Sequence, residues 1–259
     1  MKNITQIFLY WELIKHLSLR EIKVRYKQSF LGFFWVILNP FMQMLIMSFI
    51  FSTILKITKV GVPYPVFIYA GLLPWTFFAN SLGASLSILI ENSAIIKKIY
   101  FPREVLVLST VLAKAFDFFL ASILFLLMML WFHLPFTWYM LLFFPIFLVQ
   151  LIFILGIALM LSAFNLFYRD IQYLLTLVIT MWFYVTPVIY ATEFFPEHYR
   201  WIFKINPMSV FINAYREVLL AQGSLNWSSL FIGVCVSLIV FCLGYWIFKK
   251  LEGMFADIA

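Results

Sequence analysis

The sequence predicts an all-α integral membrane protein, and composition is the first reason. Of its 259 residues, 65% are apolar and 11% are charged, whereas ordinary globular domains have about 45–50% apolar and about 25% charged residues. A water-soluble fold of this composition would expose large apolar patches. The second reason is that the apolar residues form six runs, each long enough to cross about 30 Å of hydrocarbon. These predicted transmembrane helices are 32–55, 66–90, 105–132, 139–165, 171–191 and 228–248.

The segment before the first run, residues 4–28, is predicted to be an amphipathic helix in the membrane interface. Its apolar residues recur at helical spacing, while lysine and arginine crowd its second half. It carries too many charges to span a bilayer, but the basic side chains of such a helix can face headgroup phosphates. A solvated basic tail is the alternative. No internal repeat is evident, so residues 1–259 are predicted to form one domain.

Lysine and arginine counts orient the predicted helices. If the N-terminus faces the cytoplasm, twelve of the 18 basic residues lie in cytoplasmic segments, five (among them Arg216) lie in outer segments, and Lys114 lies within a run. Positive charge is enriched on the cytoplasmic side of membrane proteins, so both termini are predicted to be cytoplasmic. The net charge of +7 then reflects topology, and no nucleic-acid partner is expected.

Residues 91–104 form a short charged island between the second and third runs, on the predicted cytoplasmic side. We interpret this loop as the place where a separate motor protein pushes on the membrane helices. A cationic loop that serves only as a topology signal is the alternative. The turn at Arg169 and Asp170 faces the same side, where it is either a second contact for the partner or a simple helix cap.

The connection 192–227 is predicted to lie outside and to contain a helix. Asn206 offers an N-cap, Pro207 suits the first helical position, and Gly223 supplies a stop. The apolar residues between them share one face. A re-entrant or interfacial gate helix is therefore expected, and a plain external loop is the alternative.

Two ionisable residues lie inside the third run. At about 1.5 Å per residue, Lys114 is roughly 13 Å and Asp117 roughly 18 Å from the start of the run. Charges at that depth are costly and are functional or pairing candidates, and the i, i+3 spacing lets them face each other. Two readings stay open, namely a polar lining for a translocation path or proton relay, and a structural pair shielded at a helix interface.

Two stretches that contain proline lie in the predicted outer halves of the second and fifth runs. One ends at Trp75, and the other runs from Pro187 to Tyr190. Proline is tolerated in membrane helices and often kinks them. Either stretch therefore suits an exit gate.

No motif for nucleotide binding or covalent chemistry is present in the sequence. The nine glycines include no phosphate-binding loop of the form G-x-x-x-x-G-K-[ST], and neither a catalytic triad nor zinc-ligand spacing appears. The chain is therefore expected to bind no cofactor or metal and to be no enzyme. Any process driven by ATP would need a separate ATPase.

Several short motifs follow one another along nearly the whole chain. They are Arg20–Tyr26 before Leu31-Gly32, Trp35 with Asn39-Pro40, Gly71–Trp75, Ile99–Glu104, Phe167–Ile171, Thr186–Tyr190 and Asn206–Met208. Each motif is weak alone, but their order and spacing are specific. In these features the chain resembles the membrane subunit of ABC-2 type exporters of cell-surface polysaccharides, which include O-antigen, capsule and teichoic acid permeases.

The resemblance implies a homodimer of six-helix subunits bound to two separately encoded ABC ATPase subunits, which would hold ATP and Mg. It implies that 4–28 is the interface helix, that 91–104 carries the coupling helix that docks on the ATPase, and that 192–227 holds outer gate helices. The interface-helix candidates are Arg20, Glu21, Lys23, Arg25 and Tyr26. The coupling candidates are Ile95, Lys97, Lys98, Phe101, Pro102, Arg103, Glu104, Arg169 and Asp170. The path or gate candidates are Trp75, Lys114, Asp117, Pro187, Tyr190, Asn206 and Pro207.

The sequence thus predicts a permease that moves a lipid-linked polysaccharide across a bacterial cytoplasmic membrane, driven by ATP hydrolysis on the partner. An ABC-2 exporter of a drug or small lipid is one alternative. An ion-coupled transporter that uses Lys114 and Asp117 is another, which the lack of inverted repeats disfavours. A membrane-embedded glycosyl or acyl transferase is a third, and it would need a carboxylate or histidine cluster that the sequence lacks.

Overall fold

The computed structural model describes residues 10–26, 32–54, 61–99, 101–220 and 225–255, and within them the secondary structure is helical without a β-strand. Some residues named in the sequence predictions lie outside the described residues, namely 4–9, 27–28, Leu31, residue 55, Tyr100 and 221–224, which include Gly223. The long helices are α2 (Phe34–Ser48, extended by a π-helical turn Phe49–Ile54), α3 (Tyr64–Glu91), α5 (Glu104–Trp131), α6 (Phe143–Phe167) and α10 (Trp227–Glu252). The shorter helices are α1 (Trp11–Tyr26), α4 (Ser93–Lys98), α7 (Ile171–Val185), α8 (Trp201–Ile205) and α9 (Pro207–Leu219).

Five helical segments are long and apolar enough to cross a membrane, so the chain is a multi-pass integral membrane protein. They coincide with five of the six predicted runs, and α6 gains a short 3-10 turn at Trp138–Leu142. The remaining run, 171–191, is helical only over the 15 residues of α7. At 1.5 Å per residue α7 is about 22 Å long, because the chain becomes extended at Thr186, just before Pro187.

The bundle is built around α3, which contacts α2, α5, α6, α7 and α9. Its most apolar stretch is 61% buried, against 17% for α10 and for the first candidate span. On the other side of the bundle, α6 and α10 pack with their backbones in close contact. A Cβ atom added at Gly244 would lie 2.0 Å from the carbonyl oxygen of Gly156. This approach therefore requires glycine, as at many helix crossings in membranes.

Buried polar side chains join helices that are distant in sequence. The Gln150 amide donates to the carbonyl of Pro74 at 2.8 Å and accepts from the Tyr215 hydroxyl at 3.0 Å. The Asn165 amide donates to the carbonyl of Leu86 at 2.9 Å. Such groups are costly in an apolar interior unless they are hydrogen-bonded. These bonds therefore fix α6 and α9 against α3.

Aromatic rings fill much of the core. Phe118 of α5 stacks on Phe143 and Phe147 with ring centroids 5.5 and 5.4 Å apart, and it also contacts Phe77 at 5.1 Å. Aromatic pairs in these offset geometries stabilise a core beyond the area that they bury. Part of the 21% aromatic content of the chain therefore serves to pack its own core.

Candidate functional site

The elbow, residues 91–104, connects α3 to α5 at one end of the bundle, which we call the elbow end. Within it, α4 exposes Lys97 and Lys98, while Ile96 and Phe101 are buried. Ile95 and Pro102 are half-buried. The elbow is therefore a basic surface anchored from beneath by apolar side chains.

The last two residues of the elbow bind the end of α10. Glu104 is 1% exposed, and its carboxylate lies 2.8 Å from the Lys249 ammonium. Lys249 also lies 2.8 Å from the carboxylate of Glu252. The backbone N–H of Arg103 donates to the Glu252 carboxylate at 3.2 Å, and its guanidinium donates to the Glu252 carbonyl. Arg103 and Glu104, for which the resemblance implies ATPase contact, thus tie the elbow to α10.

A buried phenylalanine, Phe255, completes the elbow end. Its ring lies 5.2 Å from that of Phe248, 6.2 Å from that of Phe167 and 5.8 Å from the Arg103 guanidinium. Because Phe167 ends α6, these contacts place the turn at Arg169–Asp170 at the elbow end as well. Both side chains of that turn are exposed.

Helix α1 packs along α5 near the elbow end. Ile14 is buried, the Ser18 hydroxyl donates to the carbonyl of Ser109 at 3.1 Å, and the Thr110 hydroxyl donates to the Glu21 carboxylate at 2.6 Å. Glu21 thus binds α5. The other candidates on this helix are placed as follows: Arg20 and Lys23 are exposed, whereas the side chains of Arg25 and Tyr26 are outside what the structure describes.

A polar track runs along one face of α5 and consists of two adjoining cavities. The first, about 410 Å³ between α1, α3 and α5, is lined in part by Arg20, Glu21, Ser87, Glu91, Thr110 and Lys114. The second, about 290 Å³ between α2, α3 and α5, is lined in part by Trp35, Asn39, Gln43, Asn80, Lys114 and Asp117. Lys114 therefore faces both cavities. Its ammonium lies 3.7 Å from the Asp117 carboxylate, so the track carries a paired charge inside a candidate membrane span.

At the opposite end of the bundle, the far end, Asn206 holds the start of α9. Its amide oxygen accepts from the Met208 N–H at 3.1 Å and from the Trp182 indole at 2.9 Å, while its amide donates to the Thr186 hydroxyl at 2.9 Å. Pro207 occupies the first helical position. One side chain thus caps α9 and binds the end of α7.

Arg216, a residue that sequence reasoning placed among outer charges, is buried in the far end. It is 4% exposed, and its guanidinium donates to the carbonyls of Pro187 at 2.6 Å and Val188 at 2.5 Å. It also lies 3.7 Å from the Phe67 ring centroid. A Cβ at Gly71 would lie 2.6 Å from this guanidinium. Arg216 therefore holds the segment after α7 between α9 and α3. Its planar guanidinium can donate to two carbonyls at once and can also stack on an aromatic ring.

Two other candidates lie in the far half of the bundle. Trp75 is 4% exposed and packs against Phe183 of α7 at 5.5 Å. Tyr190 donates its hydroxyl to the carbonyl of Tyr184 at 2.8 Å, and its ring lies 5.1 Å from that of Phe195. Both residues are embedded in packed segments, and their role in a gate stays a prediction.

Sequence spacing missed Lys249, Glu252 and Arg216 as site residues. In the sequence, Lys249 contributed only to the count of basic residues in cytoplasmic segments. Its partner Glu104 lies 145 positions earlier in the chain. The available signal for Arg216 was its position beside Tyr215 and Val218, which lie on the apolar face of α9 and are buried. A cation next to such a face needs acceptors when the face is buried.

The long apolar helical spans define a multi-pass integral membrane protein. Residues 12–220 match the family described as ABC-2 type transporter. The chain belongs to this family.

Named relatives resemble the chain over most of its length. An O-antigen export system permease protein RfbA of Klebsiella pneumoniae is 35% identical over 255 residues, which cover 96% of this chain and 95% of that protein. The O-antigen export system permease protein RfbA of Myxococcus xanthus is 30% identical, with 99% of each chain covered. The polysialic acid transport protein KpsM of Escherichia coli is 24% identical over 84% of this chain and 87% of that protein.

Proposed function

We propose that the chain is the membrane-spanning permease of an ABC exporter that carries a lipid-linked cell-surface polysaccharide across the bacterial cytoplasmic membrane. The observation that carries this proposal is the near full-length similarity to proteins named for O-antigen export and polysialic acid transport. The sequence has no phosphate-binding loop, so ATP and Mg belong to two partner ATPase subunits. The permease itself is a homodimer and catalyses no covalent reaction.

In the proposed topology the elbow end faces the cytoplasm and both termini lie there. The elbow and the turn at Arg169–Asp170 both lie on that side. This placement agrees with the enrichment of positive charge on the cytoplasmic side of membrane proteins. The fifth of the six proposed spans consists of α7 together with 186–191. Helices α8 and α9 are the outer gate helices of the exporter.

The elbow is the proposed docking site for the ATPase. Lys97 and Lys98 are exposed there for contact with an acidic surface. A push on the elbow displaces α3 and α5, which it joins directly. Through Glu104 and Lys249 it also moves α10, and α10 is closely packed on α6.

The test is deletion of the gene in its own host, followed by complementation with the full chain. We expect the surface polysaccharide to disappear and lipid-linked polymer to accumulate in the cells, as judged by glycan blots of intact and lysed cells. A tagged permease should co-purify with an ATPase that carries a phosphate-binding loop. Unchanged surface polysaccharide in the deletion strain would refute the proposed cargo.

A further inference from the structure

The second cavity of the polar track, which we call the inner cleft, has the lining of a binding site. It measures about 290 Å³ and lies where α2, α3 and α5 meet. Its polar lining includes Asn39, Gln43, Asn80, Lys114 and Asp117, and the indole of Trp35 forms one wall. Ligand pockets in proteins usually span roughly 300–1,000 Å³, so the cleft suits a small group.

Two helices independently place the inner cleft deep in the membrane. At 1.5 Å per residue, Asn80 lies about 16 Å along α3 from Glu91. Lys114 lies about 15 Å along α5 from Glu104. Both distances correspond to the middle of a hydrocarbon layer about 30 Å thick.

The side chains of Asn39, Gln43 and Asn80 are exposed at this depth in the single chain. Polar groups facing hydrocarbon are costly, and polar residues inside membranes usually face a water-filled cavity or another polar group. The amides of Gln43 and Asn39 bond each other at 3.1 Å on the surface of α2. The inner cleft therefore opens towards a hydrated space or a polar occupant rather than towards lipid.

The chemistry of the lining selects among occupants. Lys114 and Asp117 neutralise each other as a pair, so the cleft has little attraction for an isolated anion. Amides both donate and accept hydrogen bonds, as sugar hydroxyls do. An indole beside them offers an apolar surface for a ring face. An apolar drug or lipid chain would offer no hydrogen bond to the exposed amide of Asn80.

We propose that the inner cleft is a saccharide-binding subsite on the translocation path, where Asn39, Asn80 and Asp117 bind hydroxyl groups of one passing sugar residue. This inference rests on the proposed function and adds to it a location and a ligand chemistry. The size of the cleft fits a single sugar residue rather than a whole repeat unit. Weak contacts of this kind let a polymer advance stepwise.

The first experiment measures whether polymer occupies the cleft. The native cysteines, Cys235 and Cys242, are replaced by alanine, and Asn80→Cys is introduced into the full chain in its host. The rate of modification by N-ethylmaleimide is compared between cells that make the polymer and cells unable to begin its synthesis. We expect labelling in cells without polymer and a several-fold slower rate in cells with polymer.

Phe116→Cys is the matched control, because Phe116 lies at similar depth on α5 and is exposed on an apolar surface. It should label slowly in both strains. Equal labelling of Asn80→Cys with and without polymer would overturn the subsite, as would no labelling in either strain. These outcomes are separate from failure of the proposed function, in which deletion of the gene leaves surface polymer unchanged.

A second measurement uses substitutions that keep the fold. Asn39 and Asn80 are exposed, so Asn39→Leu with Asn80→Leu should leave the amount of permease in the membrane unchanged. Surface polymer should appear several-fold more slowly, and Asn39→Gln with Asn80→Gln should retain most of the rate. Normal export by the leucine variant would overturn the proposal.

Discussion

The ammonium of Lys249 lies 2.8 Å from the carboxylate of Glu104, which joins the end of the last long helix to the elbow. The side chain of Glu104 is 2% exposed and that of Lys249 is 23% exposed. The pair is therefore largely shielded from water. It links α10 directly to the elbow, the loop that we propose to bind the ATPase.

Substitution of the lysine in this pair is predicted to destabilise the chain. Lys249→Met leaves a buried carboxylate without its nearest cation, at a cost of about 2 kcal/mol. The thermal midpoint of the purified permease should fall, and Lys249→Met with Glu104→Gln should recover part of the loss because the buried charge is gone. Lys250→Met removes an exposed charge one residue away and is the control. Equal midpoints for the two single variants would contradict the prediction.

Charge reversal on the exposed part of the elbow is predicted to weaken ATPase binding without unfolding the permease. Lys97 and Lys98 are exposed on α4, and surface charges affect association more than stability. Lys97→Glu with Lys98→Glu should reduce co-purification of the ATPase and surface polymer by at least about tenfold, a loss of about 1.4 kcal/mol in binding. The thermal midpoint should stay unchanged. The same reversal at Lys204, which is exposed at the far end, should affect neither binding nor export.

The contact between α6 and α10 is predicted to tolerate no side chain at Gly244. An added Cβ would lie 2.0 Å from the Gly156 carbonyl oxygen, so Gly244→Ala should separate the helices at a cost of about 1–3 kcal/mol. A lower thermal midpoint and less permease in the membrane are expected. Gly83→Ala is the matched control, because its Cβ would meet nothing within 4 Å, and helix propensity favours it by about 1 kcal/mol. A Gly244→Ala protein as stable as the control would show that the helices are not in close contact.

Loss of the Arg216 guanidinium is predicted to release the segment after α7. Arg216→Lys keeps the charge but cannot donate from a planar fork to the carbonyls of Pro187 and Val188, so a loss of about 2 kcal/mol is expected. Trypsin should then cleave faster at the exposed Lys204, and export should fall. Gly71→Ala should have the same effect, since its methyl group would displace the guanidinium. Asn213→Ala, at a half-buried position one turn earlier in α9, should leave the cleavage rate unchanged.

Protonation of Glu217 is predicted to stabilise the far end. Burial raises the pKa of Glu217, and the hydrogen bond that its carboxylate accepts from the Asn226 N–H opposes part of that shift. Because the folded pKa lies above the unfolded value, this contribution is present at low pH and is lost as pH rises through the folded pKa. The thermal midpoint should therefore rise on acidification from about pH 8 to about pH 5.

Glu217→Gln isolates this group. The variant should have a higher midpoint than the parent at neutral pH and a flatter pH dependence. Glu197→Gln is the control, because the side chain of Glu197 is 91% exposed. If the parent and Glu217→Gln show the same pH dependence, the predicted role of burial at Glu217 is wrong.

Local features of the chain were predictable because they depend on neighbours in sequence. Five apolar runs became helices close to their predicted bounds, since length and hydropathy are properties of each segment alone. Asn206 caps α9 and Pro207 follows it, as the residue order predicts. The fifth run, 171–191, did not continue as one helix beyond Val185, because apolar composition does not reveal where a proline will end a helix.

The sequence by itself determined the membrane class, the helical segments and the order of motifs that identifies the family. The tertiary structure decided which charges are buried and what they bind. Arg216 was an outer charge by sequence but binds two backbone carbonyls in the fold, and Glu104 was part of a charged island but pairs with Lys249. Helix periodicity is set within a few residues, whereas these contacts join segments tens of residues or more apart. They depend on how helices pack, and packing is not encoded in any one segment.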